Sequence, residues 1–195
     1  MCTFDLSVSF SLPPWIPAFC CGHGHGVTLE DRARFVIAAS RRNVEEGTGG
    51  PFAAAVFERD TGRLVSLGVN LVTTQGLSTL HAEMVALVVA QRTLKTYDLG
   101  AKGLPAHELV TSAEPCAMCF GAVPWSGVRR VVSSATDADA RAIGFDEGPK
   151  VADWRKALEE RGIAVVAEIL RQEARDVLNE YAKKNGVIYN SRDGG

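Results

Sequence analysis

The hydrophobic positions change period several times along the chain, and each change marks an element. Phe35, Val36, Ala39 and Val44 recur at helical spacing behind Thr28 and Asp31, a pairing suited to a helix start, and Gly47, Gly49 and Gly50 end that run. Pro51 to Glu58 is apolar and strand-like. Asp60-Thr61-Gly62 reads as a turn and Leu64 to Leu71 as the returning strand, so the segment predicts a hairpin. Beyond a loop rich in Thr, Ser and Gly, Met84 to Ala90 is apolar nearly all round, the character of a helix buried between layers. Glu108 to Ser112 predicts a short buried strand running into Pro115 and a second helix. Val128 to Ser134 is the next strand, residues 150–161 a charged amphipathic helix, Ile163 to Ile169 another strand and Arg171 to Lys184 a last helix. A helix between the last two strands requires a crossover, so those strands are expected to be parallel. The pattern predicts an α/β fold with a mixed five-stranded sheet and helices on both faces.

Residues 1–27 break this order. They are rich in Pro, Gly and Cys, show no periodicity, and read as an irregular N-terminal arm before one domain over 28–195. A length of 195 residues suits a single well-buried core. A formal net charge of −2 argues mildly against a nucleic-acid partner, because binding a long polyanion calls for a basic stripe. Five cysteines, an odd number, do not suggest a disulfide framework. No basic leader precedes an apolar stretch, Pro13, Pro14 and Pro17 interrupt the one near the start, and no run is long enough to span a membrane. A soluble, cytoplasmic protein is expected.

Chemistry enters with two motifs. His81-Ala82-Glu83 opens the apolar helix, and Pro115-Cys116-Ala117-Met118-Cys119 opens the next one. Cys116 and Cys119 stand one helical turn apart, so their sulfurs share a face. A helix N-terminus favours thiolate over thiol. One imidazole and two thiolates make three zinc ligands, and a catalytic zinc keeps its fourth position for water, whereas a structural zinc closes its shell with protein. Glu83, two positions after His81, is placed to carry protons for that water. H-x-E followed by P-C-x-x-C is the signature of zinc-dependent base deaminases. The other cluster, Cys20-Cys21-Gly22-His23-Gly24-His25, matches no regular zinc spacing and reads as part of the arm.

These residues resemble the cytidine deaminase-like superfamily. The segments Gly50-Pro51-Phe52-Ala53-Ala54-Ala55, Ala142-Ile143-Gly144-Phe145-Asp146-Glu147-Gly148-Pro149 and Asn185-Gly186-Val187-Ile188-Tyr189-Asn190 are similar to its bacterial guanine deaminase branch. The resemblance covers about Pro51 to Ser191. It implies a three-layer α/β/α fold, one zinc per subunit held by His81, Cys116 and Cys119, and Glu83 as proton shuttle. Glu147 would be a second catalytic glutamate and Asn70 a contact to the base. Phe52, Phe145 and Trp125 would be pocket walls, and Tyr189 part of a covering tail. It also implies a homodimer whose C-terminal segment can cross between subunits.

Chemistry agrees with Glu147. Guanine presents N1–H beside its exocyclic amine, a donor–donor edge that suits the two acceptor oxygens of a carboxylate. The expected reaction is hydrolysis of guanine to xanthine and ammonia in purine catabolism. Ammeline and cytosine stay open as substrates, and a tRNA adenosine deaminase is less favoured. The chain departs from the family at Pro124, late in the helix begun at Cys116. Proline removes a helix hydrogen bond, so an end or kink is expected there and the placement of Trp125 is open.

Overall fold

The structure is a computed structural model that describes residues 7–22 and 26–190. Its centre is a mixed five-stranded sheet in the order β2-β1-β3-β4-β5. The strands are β1 (Ala53–Glu58), β2 (Leu64–Val69), β3 (His107–Ala113), β4 (Arg130–Ala135) and β5 (Ala164–Val166). β1 is antiparallel to both β2 and β3, while β3, β4 and β5 run parallel. The hairpin and the parallel final pair are as the periodicity predicts. β5 is shorter than expected, with only three residues in the ladder at the sheet edge.

Alternation along β1 sorts the layers. Ala53, Ala55 and Phe57 face Phe35, Val36 and Ala39 of helix α2 (Leu29–Glu45). Ala54 and Val56 face Ala82, Ala86, Leu87 and Ala90 of helix α4 (Ala82–Leu94), joined by Val123 of α5 (Ala117–Ser126) and Leu158 of α7 (Trp154–Glu159). Helix α8 (Arg171–Lys183) lies beside α2, where Ala174, Val177 and Leu178 bury Ile37. Helices therefore cover both faces of the sheet.

Local signals set several boundaries. Thr28 and Asp31 form a reciprocal capping box that starts α2. Thr136 and Asp139 form a second one for α6 (Asp137–Ala142), a helix the hydrophobic pattern did not reveal because it lasts under two turns. α7 is shorter than the expected 150–161 helix: Asp153 caps it by accepting from the Lys156 amide at 3.3 Å, and the residues before Asp153 form a non-helical loop. α3 (Val72–Gln75) is a single turn in the loop after β2.

The irregular-arm expectation needs correction. Ile16–Cys21 form helix α1, with proline in its first turn. Ile16 is buried, Trp15 Nε1 donates to Thr48 Oγ1 at 3.0 Å, and Phe19 lies 5.1 Å from Phe35. These apolar side chains have no period because they dock one by one on α2 and the sheet. Cys20 and Cys21 end α1, while His23 and His25 lie outside the described residues.

Candidate active site

Two helix starts face each other at one end of the sheet. β2 ends just before Asn70, β1 begins after Phe52, and β3 delivers Glu114 and Pro115 to the N-terminus of α5. His81 is the N-cap of α4 and Cys116 the N-cap of α5, both with extended backbone. Cys119 lies one turn into α5 and is fully buried. His81 Nδ1 is 3.4 Å from Cys116 Sγ, and the donor atoms of His81, Cys116 and Cys119 all lie within 4.8 Å of one another. Zinc binds sulfur at about 2.3 Å and imidazole nitrogen at about 2.0–2.1 Å, which puts neighbouring tetrahedral ligands roughly 3.5 Å apart. The donor set fits that ion. Among the described residues the cluster holds three such donors, and Glu83 is not one of them.

The electrostatics of the side chains follow from their packing. Hydrogen bonds from Cys119 and His81 hold the Cys116 thiol well below its usual range, at about 4. That places a thiolate beside the imidazole. Burial pulls the His81 imidazole down, yet its hydrogen bond to Cys116 and the charges of Glu83, Cys116 and Glu147 outweigh this and raise it. Burial and the Cys116 charge lift the Glu83 carboxyl to about 7. Burial, with the charges of Cys116 and Glu83, lifts Glu147 to about 8. Two buried carboxyls beside a metal-ligand cluster are placed for proton transfer.

A cleft of about 330 Å³ opens over this cluster, within the size range of ligand sites. His81, Glu83, Cys116, Glu147, Asn70, Phe52, Phe145 and Tyr189 all line it. Phe52 and Phe145 meet edge to face at 4.9 Å, and Phe145 and Tyr189 at 5.1 Å. The Asn70 amide donates to the Tyr189 hydroxyl at 2.5 Å. Asn190 fastens the tail: its Oδ1 accepts from the Asp146 amide at 2.9 Å and its Nδ2 donates to Gly144 O at 2.8 Å. The tail thus closes over the cleft of its own chain.

Trp125 does not join them. It is 85% exposed on the outer side of α5, with Met118 and Gly121, whereas Cys119, Val123 and Ser126 point inward. The helix runs on past Pro124 to Ser126, so the expected break comes two residues later, where Gly127 turns out with φ of 83°. A proline this near the C-terminus forfeits a bond in the last turn only. Trp125 stands about two turns along α5 from Met118, which borders the cleft, and that distance takes it out of the site.

The sequence reading missed Asn43 and Lys150. Asn43 is fully buried in α2, and its amide donates to Gly50 O at 2.9 Å and Asn70 O at 3.0 Å. It fixes the backbone that presents Asn70. Gly49 completes the fit, since a Cβ there would fall 1.8 Å from Asn70 O. A polar residue on the apolar face of an amphipathic helix was the available signal. Lys150 follows Gly148-Pro149 in a loop and carried no signal at all.

Comparison with known proteins extends these observations. Residues 28–135, more than half of the chain, match the family model described as the cytidine and deoxycytidylate deaminase zinc-binding region. The guanine deaminase of Bacillus subtilis is 38% identical over 127 residues, spanning 65% of this chain and 77% of that protein. A structure of guanine deaminase from Nitrosomonas europaea superimposes with a TM-score of 0.88 at 47% identity, covering 93% of this chain and 99% of that one. A crystal structure holding 2,6-diaminopurine gives a TM-score of 0.88 at 50% identity, with 94% and 97% of the two chains covered. With its three-donor cluster and a match of this extent, the chain belongs to the cytidine and deoxycytidylate deaminase zinc-binding family.

Proposed function

We propose that this protein hydrolyses guanine to xanthine and ammonia in the cleft between α4 and α5. The Glu147 carboxyl carries the reading, because it is buried in the same cleft as the metal-ligand cluster. A donor–donor base edge satisfies both of its oxygens and favours its charged form against the upward push of burial. Asn70 addresses the acceptors of the ring, and the Phe52, Phe145 and Tyr189 side chains suit a flat heterocycle. The likeness to two guanine deaminases and to a structure with a bound diaminopurine supports a purine over a pyrimidine.

Zinc, when held by His81, Cys116 and Cys119, supplies the Lewis acidity that makes water a nucleophile at neutral pH. Glu83 takes a proton from the attacking water, passes it to the ring nitrogen beside the amino-bearing carbon, and then serves the departing amine. The water oxygen bonds that carbon, the C–N bond breaks, and ammonia leaves. Glu147 orients the base throughout. Tyr189 and the tail keep bulk water out.

The enzyme acts as a homodimer in the cytoplasm, each tail kept on its own subunit. The tail's bonds to Asn70, Asp146 and Gly144 of the same chain support the unexchanged tail. Among the described residues, no helix is long and apolar enough to cross a membrane.

Ammonia release by the zinc-loaded protein should be measured on guanine, guanosine, ammeline, cytosine, adenine and transfer RNA. Guanine is expected to give the highest kcat/KM. No turnover of guanine would sink the reading, and preference for ammeline would replace its substrate. Glu147→Gln is expected to lower guanine turnover about 100-fold or more with zinc retained.

A further inference from the structure

Lys150 is a charged residue that the fold has taken almost wholly out of water, its side chain 7% exposed. An ammonium has three hydrogens to donate; this one donates to Pro115 O at 3.1 Å and Glu114 Oε2 at 3.5 Å, and it is ion-paired with Asp137 Oδ1 at 3.1 Å. The Trp154 ring lies 5.2 Å from the same nitrogen, and Arg155 holds the other oxygen of Glu114 at 3.0 Å. Burying an ammonium is costly unless it is paired and hydrogen-bonded. The question is what this arrangement secures.

Its partners answer that. Pro115 is the residue before the ligand Cys116. Lys150 closes the loop that carries Glu147. That loop is already pinned once to α5, where the Ala117 amide donates to Glu147 O at 2.9 Å. Gly148 lets it lie close, because a Cβ there would stand 3.1 Å from the Ala117 Cβ, at a φ of 69°. The bond from Lys150 to Pro115 O is a second pin on the other side of Cys116. Two pins fix both the distance and the angle of the Glu147 loop relative to the metal-ligand turn, where one would leave a hinge.

We propose that Lys150 is a positioning residue that sets the register between Glu147 and the Cys116 turn. It touches no substrate, and its effect runs through Glu147. The network of Glu114, Asp137 and Arg155 holds the ammonium in place. A misplacement of about 1 Å at a reacting group costs on the order of 100-fold in rate, so losing one of the two bonds that tie this loop to the Cys116 turn is expected to matter. This inference rests on the role given to Glu147 above.

The test is a double-mutant cycle on the zinc-loaded protein. Lys150→Met is expected to lower kcat/KM at least about tenfold with one zinc per chain retained. In a Glu147→Gln background the same change should cost less than about threefold, because the residue being positioned is already disabled. Hydrogen–deuterium exchange gives a second readout: amides of 144–150 and of Ala117 should exchange faster in Lys150→Met, with the β3 and β4 amides unchanged. Equal losses in both backgrounds, no loss at all, or loss of zinc would each overturn the proposal. If Lys150→Met does not fold, Lys150→Gln, which keeps a donor for Pro115 O, takes its place. Failure of both to fold assigns Lys150 to general stability and also overturns it. If the wild type fails to hydrolyse guanine, the substrate reading falls on its own, and the cycle is run on whichever amino-heterocycle the wild type does hydrolyse.

Discussion

Glu83 and Cys116 are buried within one cluster, yet their substitution should have opposite consequences for the metal. Glu83 lies outside the three-donor group, so Glu83→Gln preserves the ligands and removes the proton carrier. Turnover is expected to fall about 100- to 10,000-fold with zinc content unchanged. Cys116→Ser or His81→Ala should lose zinc together with activity; metal analysis on the purified variants separates the two cases. These residues could be read from the chain because zinc chemistry dictates residue type and spacing at once. Asn43 and Lys150 could not be read so directly. Each acts through backbone carbonyls that approach it only after folding, and neither Asn70 O nor Pro115 O has a side-chain identity to betray it.

Elements were legible in proportion to their length. α2 and α8 each bury a face over three turns or more, so their period stands out, and α4 is recognisable by a long apolar run. α1 and α6 last six residues each and leave little pattern to find. α6 is held by contacts that the pattern does not encode. Asp139 caps its N-terminus and also receives Arg171 of α8, at 2.8 and 3.2 Å. The Arg171 hydrogen bond, outweighing burial, holds the Asp139 carboxyl down at about 2, below its usual value near 4. A depressed carboxyl stabilises the fold above its unfolded pKa and loses that contribution as pH falls through its folded one. Asp139→Asn keeps an acceptor oxygen but loses the charge facing Arg171, so it should be less stable than the wild type at pH 7 by about 1 kcal/mol. The gap should narrow from about pH 4 and close near pH 2. Denaturant titrations across that range would show it. A gap independent of pH would mean that capping geometry, not charge, carries the effect.

At the scale of the whole molecule, the sequence separates inside from outside well but cannot say what an outside residue is for. Trp125 illustrates the difficulty, since an aromatic beside a metal helix suits a pocket wall as readily as a surface. The structure gives the surface: Met118, Gly121 and Trp125 form a stripe at i, i+3 and i+7 along α5, and Met118 also borders the cleft. An 85% exposed tryptophan is costly to leave in water, and tryptophan is enriched at the centres of protein interfaces. The stripe is thus the face expected to meet a second copy in the proposed homodimer. Trp125→Glu tests this without touching the core. Because the side chain makes little contact within its own chain, thermal stability of the monomer should change by no more than about 0.5 kcal/mol. Two such glutamates brought together in an isologous contact would each be desolvated near a like charge, which costs several kcal/mol. Sedimentation equilibrium should then report one chain mass for Trp125→Glu where the wild type gives two. A variant that remains dimeric would move the interface to another face. Should monomeric Trp125→Glu keep full turnover, each subunit would be complete by itself, in line with a tail that closes on its own cleft. If turnover falls with the dimer while zinc stays bound, the partner supports the cleft rim through Met118, and oligomerisation becomes part of the catalytic design.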